Sequence, residues 1–293
     1  MTQHDQRSRP NARQRAAAAQ AAERAKARRR RQWLTGAIAL VVIAAVVGIG
    51  LAVKSNQNAN TAAFAAPKGA VVDSVVDAKT HTDKATAIEY GSSGAKVTVT
   101  VFEDVRCPFC DIFELGARSV YKQYVDAGQV KVLFHLVKLI DENDQAAGED
   151  ASGSRAGGSA LACAQNAGLF DQYHDVLYDN QPVETTDPWS DPSALITLAK
   201  KVPGLDTPAF ESCVKNTTYG AFVDQNWADF STLHLNGTPT VEIDGTALTN
   251  AQLFSAASKS GVTANTAEDG QGANVAAFQA ALQAAVAKAY PGA

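Results

Sequence analysis

Hydrophobic positions change character three times along this chain. From Trp33 to Val53 no residue is charged and most are Ile, Val, Leu or Ala. These 21 residues match the ~20 needed for a helix to cross a bilayer. Ala95 to Phe102 instead alternates Val and Thr at the period of a strand. It runs through Glu103-Asp104-Val105-Arg106 into Cys107-Pro108-Phe109-Cys110, after which Ile112, Phe113, Leu115, Val120 and Tyr124 recur at roughly helical spacing. Gly128 stops that helix, and Gln129 to Ile140 reads as a second strand, apolar enough to be central.

The polar stretch Asp141 to Gly158 breaks this pattern, and from Ser159 to about Leu233 every predicted element is helical. Asp191-Pro192 and Thr207-Pro208 each pair an N-cap residue with proline at the first helical position. Phe222, Val223, Trp227 and Phe230 then lie along one face of a helix over about Tyr219 to Leu233. Thr238-Pro239-Thr240-Val241-Glu242-Ile243 is a strand opened by proline and closed by the turn pair Asp244-Gly245. Two helices follow, near Asn250–Ser258 and Asn274–Tyr290. The order is β-α-β, a helical insert at about 150–233, then β-β-α, one composite domain over 86–293. Residues 54–85, rich in Ala, Asn, Ser, Thr and Lys without periodicity, read as a linker.

Charge adds an orientation. Before position 32 there are ten Lys or Arg against Asp5 and Glu23, so the net charge of −4 conceals a body at −12. A basic flank holds that end in the cytoplasm, which makes 1–32 a cytoplasmic tail, 33–53 a single-pass membrane anchor and the body extracytoplasmic. A cleavable signal peptide competes, since Ala63-Phe64-Ala65 has a small-x-small pattern. Signal cores run only ~7–15 residues, which favours the anchor. The basic tail beside a membrane span sets topology and touches anionic lipid, and no nucleic-acid partner is expected.

Four cysteines outside the cytoplasm bring in disulfide chemistry. Cys107 falls at the first turn of a helix, where unpaired N–H groups and the positive end of the macrodipole stabilise a thiolate. Pro108 sits where its missing N–H costs nothing. Cys110, one turn on, can reach the Cys107 sulfur but is more buried, so Cys107 exchanges and Cys110 resolves. Zinc would want a second close pair or neighbouring histidines. Neither exists here, and His81, His135, His174 and His234 are scattered without ligand spacing. No metal and no cofactor are expected, and His135, within an apolar strand, reads as a core histidine. Cys163 and Cys213 lie in different helices of the insert. They form either a structural disulfide or two buried thiols.

The strand before Cys107-Pro108-Phe109-Cys110, together with the distant Gly237-Thr238-Pro239-Thr240, resembles the DsbA-like branch of the thioredoxin superfamily over about residues 85–290. The resemblance implies an α/β thioredoxin-like fold with an inserted helical subdomain. It also implies that Pro239 is cis and packs beside the reactive pair, and that Thr238 offers backbone to an extended substrate. The activity implied is protein thiol:disulfide exchange with exported proteins, most simply as an oxidase reoxidised by a DsbB-like or VKOR-like membrane partner. A reductase or isomerase using the same site, or a tethered binding module, are the alternatives. Phe109 departs from the family, since DsbA carries His there, and one stabiliser of the thiolate is missing. Glu103 and Asp104 either assist proton transfer to Cys110 or form a solvated strand end.

Overall fold

The computed structural model of the chain describes residues 64–255 and 272–292. The basic tail at 1–32 and the apolar run at 33–53 lie outside the described residues. Among those described, no helix is long and apolar enough to cross a membrane.

The sheet has six strands in the order β1-β2-β4-β3-β5-β6. They are β1 (Ala70–Val71), β2 (Ala87–Gly91), β3 (Val97–Glu103), β4 (Val130–Leu136), β5 (Thr240–Ile243) and β6 (Thr246–Ala247). β3 and β4 are parallel, paired from Val97 with Val130 to Glu103 with Leu136. The crossover between them is α2 (Pro108–Asp126), ended by Gly128 in the left-handed region at φ 69°. The other pairings are antiparallel.

Both faces of β3 are covered, so its threonines do not mark a solvent side. Val97, Val99 and Val101 join the main core, where α2 packs on α10 (Val275–Ala289) with the Phe113 and Phe278 rings edge-on at 5.3 Å. Phe102 points the other way and packs with Val76 of α1 (Ser74–Thr80), Val137, and Phe230 of α8 (Gly220–Thr232).

The structure corrects several expectations. The predicted linker already belongs to the fold where it is described. β1 and α1 lie within it, tied down by buried Asp73, which accepts from the N–H groups of Val75 and Val76 and from Thr100 Oγ1 at 3.1 Å. His135 Nε2 is 3.4 Å from the same carboxylate and its ring stacks on Phe102, so it is a core histidine. This buried carboxylate adds to the packing of Val76 and the pairing of β1 with β2.

The second strand stops at Leu136, and Leu139-Ile140 begin α3 (Leu139–Ala146). The polar stretch at 141–158 is mostly helical, being the body of α3 and the start of α4 (Gly153–Asn166). Its aspartates Asp141 and Asp144 are spent internally. Asp141 accepts from the N–H groups of Ser154 and Arg155 at 2.9 and 2.8 Å, capping α4, and pairs with buried Arg106 at 2.9 Å. Arg106 also reaches Asp144 at 3.0 Å and Asp187 at 3.4 Å. The helical subdomain therefore starts at 139 rather than about 150.

It continues through α5 (Phe170–Tyr178), a 3-10 turn at Pro188–Ser190, α6 (Pro192–Ala199), α7 (Pro208–Lys215) and α8. Asp191 and Thr207 cap α6 and α7 as the sequence predicts. The helix expected near Asn250–Ser258 ends at Leu253 as α9 (Asn250–Leu253), because Phe254 bridges to Ala273.

Candidate active site

β3 ends at Glu103, and four residues later the chain enters α2 with Cys107 as its N-cap and Pro108 in the first turn. The loop between is pinned from several sides. Asp104 accepts from the N–H groups of Arg106 and Ile140, both at 2.8 Å. Gln181 Nε2 donates to the carbonyls of Val105 and Cys107 at 2.9 and 3.0 Å. Gly157 of α4 lets that helix approach, since a Cβ there would stand 2.6 Å from Val105 Cγ2.

Cys107 and Cys110 are both free thiols, 4% and 0% exposed. Phe109 between them is 45% exposed, its ring edge-on to Phe254 at 5.4 Å. The Thr238–Pro239 bond is cis, and the Cys107 thiol donates to the Thr238 carbonyl at 3.3 Å. The Thr238 hydroxyl is buried without a hydrogen-bond partner.

The two sulfurs have opposite acid-base character. The Cys110 thiol, the Thr238 side chain and the Cys110 backbone N–H hold Cys107 below the ordinary thiol range, against burial and the Asp104 charge. Burial pushes Cys110 well above that range, and the Cys107 and Glu103 charges add to it. The Thr238 carbonyl takes the neutral thiol, and the Thr238 hydroxyl, unpartnered in this dithiol form, is a donor that would favour the thiolate.

The two carboxylates before the motif differ. Neither is a solvated strand end, since both are fully buried. Asp104, pushed up to about 7 by burial, has each oxygen engaged by a backbone N–H. Glu103 Oε1 accepts from His174 Nε2 at 2.8 Å, while Oε2 has no partner. Burial alone would lower His174, but the Glu103 carboxylate beside it raises it to about 9. Glu114 lies in the same buried group, pushed up to about 7 by burial, and accepts from Tyr121 Oη at 2.6 Å. Tyr178 covers His174 from one turn further along α5, and its hydroxyl has no partner.

Glu103, Glu114 and His174 each bring one ligand atom within 4.8 Å of the others, close enough to chelate an ion. The His174–Glu103 contact is that of a hydrogen-bonded ion pair.

Sequence reasoning missed His174, Glu114, Gln181 and Arg106. Glu114 follows Cys110 by four residues and so shares its helix face, a signal that was readable. His174 had none, lying 71 residues from its partner. Cys163 of α4 and Cys213 of α7 are bonded to each other, with Cα atoms 6.0 Å apart, and tie the helical subdomain together. His81 and His234 occupy left-handed turn positions at φ 53° and 54°.

A family model described as thioredoxin matches residues 83–260. Disulfide bond formation protein D of Bacillus subtilis (strain 168) is 24% identical over 161 residues, covering 55% of this chain and 68% of that protein. Probable disulfide bond formation protein D of Bacillus cereus is 26% identical over 157 residues, covering 53% and 68%. The crystal structure of oxidised BdbD from Bacillus subtilis superposes with a TM-score of 0.52 at 20% identity, covering 69% of this chain and 93% of that one. This likeness matches the mixed α/β fold described above.

Proposed function

Because the chain belongs to the thioredoxin family and is a DsbA-like thiol:disulfide oxidoreductase, we propose that it works as a membrane-anchored oxidase of exported proteins through Cys107 and Cys110. The observation that carries this reading is the opposite acid-base character of the two sulfurs beside the Thr238 carbonyl. A substrate thiolate attacks Cys107 Sγ of the protein disulfide, the S–S bond breaks, and Cys110 leaves with the electron pair and takes up a proton. A second substrate thiolate attacks the substrate sulfur of the mixed disulfide and expels Cys107 as a thiolate, leaving the substrate oxidised and the protein reduced. The lowered Cys107 is the better leaving group, which favours this direction. Glu103 is the group that exchanges a proton with Cys110, since Asp104 is occupied by backbone. Thr238 aligns an extended substrate at Cys107, with Pro239 and Phe109 flanking it.

The anchor over 33–53 and the basic tail would place this domain outside the cytoplasm. The Cys163–Cys213 bond supports that location, because disulfides persist there. A DsbB-like or VKOR-like membrane partner would accept the electrons and restore the Cys107–Cys110 disulfide. Phe109 in place of an imidazole favours a second reading, a reductase or isomerase with the same site.

The test is trapping. With an unfolded thiol-bearing substrate, oxidised protein should form substrate disulfides, and with a disulfide-bearing substrate Cys110→Ser should accumulate a mixed disulfide at Cys107 while Cys107→Ser accumulates none. Mixed disulfides held through Cys110 instead would overturn the role assignment.

A further inference from the structure

Cys110 is 0% exposed, so no bulk water can take its proton when it attacks a mixed disulfide on Cys107. That attack is required whenever Cys107–Cys110 is reoxidised. Glu103, whose Oε2 is buried and unpartnered, stands in one buried group with Glu114, which lies one turn along α2 from Cys110, and its charge acts on the Cys110 sulfur. Glu103 in turn shares a buried pocket with Glu114 of α2, and two carboxylates there repel each other. What offsets that repulsion is His174 of α5, 2.8 Å from Glu103 Oε1 and flanked on its own helix by Asp175 and Tyr178.

We propose, resting on the reading that Cys110 resolves mixed disulfides at Cys107, that His174 is a positioning residue for that step. Its imidazolium pairs with Glu103 and holds that carboxylate oriented to receive the Cys110 proton. The step balances within the site. Cys110–SH gives its proton to the Glu103 carboxylate, the sulfur electron pair attacks Cys107 Sγ, and the bond from Cys107 to the partner sulfur breaks, the partner leaving as a thiolate. In the opposite direction Glu103–COOH returns the proton to the leaving Cys110.

Without His174 the Glu103–Glu114 pair would hold a proton between them, and the acceptor would be filled before Cys110 needed it. Tyr121 donates to Glu114 but not to Glu103, so it does not replace the imidazolium.

The test mixes the reduced full chain in detergent with rising glutathione disulfide. The initial slope reports attack by Cys107, and the plateau reports attack by Cys110. General acid-base groups contribute ~10²–10⁴-fold, and His174→Gln should lower the plateau at pH 7 by about tenfold or more while leaving the slope within about twofold. Its plateau should also climb with pH where wild type is flat. Glu103→Gln should show the same profile, and the double variant should be no slower than Glu103→Gln alone. A wild-type plateau and pH profile in His174→Gln beside a slow Glu103→Gln would overturn the role of His174 and leave that of Glu103 standing. Wild-type behaviour in both would overturn both. Equal loss of slope and plateau in His174→Gln would make the residue structural and overturn its role. Should that variant not fold, the wild-type chain carries the test by nitrogen-15 NMR. The His174 ring must stay an imidazolium through neutral pH in the dithiol form, and a neutral ring at pH 7 would overturn the proposal.

Discussion

The Cys107 thiol lies 3.3 Å from the main-chain carbonyl of Thr238, a residue 131 positions further along the chain. β5 pairs antiparallel with β3, and this pairing carries the segment before β5 back to the end of the strand that delivers Cys107. The sulfur at the head of α2 and the main chain of Thr238 therefore meet at one point of the fold.

The asymmetry between the sulfurs predicts selective labelling. At mildly acidic pH, iodoacetamide should modify Cys107 and spare Cys110 in the reduced protein. Thr238→Val removes the hydroxyl that serves the thiolate while keeping the carbonyl, so it should slow Cys107 labelling at pH 6 several-fold. Equal labelling of the two cysteines, or no change in Thr238→Val, would count against this account.

Arg106 is buried among three aspartates and bonds to the carbonyls of Glu184 and Thr186, both at 3.3 Å. Removing one partner of a buried ion pair leaves an uncompensated charge and costs roughly 3–5 kcal/mol. Arg106→Met should lose stability on that scale in urea unfolding. Arg106→Lys should recover only part of it, because an ammonium cannot span the same acceptors. A loss below about 1 kcal/mol would put the network on the footing of a surface pair.

The Cys163–Cys213 bond closes a loop across a separation of 50 residues. On the chain-entropy relation, its removal costs ~4 kcal/mol. Replacing both residues with alanine should lower the unfolding free energy by about that much while the initial rate at Cys107 stays the same. Free thiols at both positions in protein isolated without reductant would remove the premise.

Stability should fall as pH rises from weakly acidic to alkaline. Asp104 and Glu114 are pushed up to about 7 by burial, and His174 is raised to about 9 by Glu103 against the effect of burial. A group whose folded-state value is raised binds its proton more tightly when folded. Its contribution is full below the unfolded value and is lost as pH climbs through the folded one. The carboxyls act between about 4 and 7 and His174 between about 6.5 and 9. Asp73 works the other way. Burial opposes its ionisation, but His135 and two backbone N–H groups lower it to about 2, so its contribution disappears only in strong acid. Urea midpoints should be higher at pH 5 than at pH 8, and Glu114→Gln should flatten the first part of the decline. A midpoint that rises from pH 5 to pH 8 would contradict the burial of these groups.

Much of the site was readable because it is local. Strand, Cys107, Pro108 and helix are consecutive, and the caps at Asp191 and Thr207 need only their next few residues. What escaped depends on polar residues used far from home. α3 and α4 were hidden because Asp141 and Asp144 of α3 neutralise Arg106 and Asp141 also caps the backbone of α4. α1 was taken for linker because Asp73 anchors it to Thr100 and His135. His174 looked like one more scattered histidine because Glu103 lies on a different element.

The claim that Cys107 and Cys110 donate a disulfide is tested most directly by the reduction potential of that pair, measured at equilibrium with glutathione. The lowered Cys107 stabilises the reduced form, and the missing imidazole at Phe109 limits the effect. The predicted value lies above about −270 mV, where thioredoxin works as a reductant, and below about −120 mV, where DsbA works as an oxidant. A potential at or below about −270 mV would contradict the oxidase reading and make the pair a reductant.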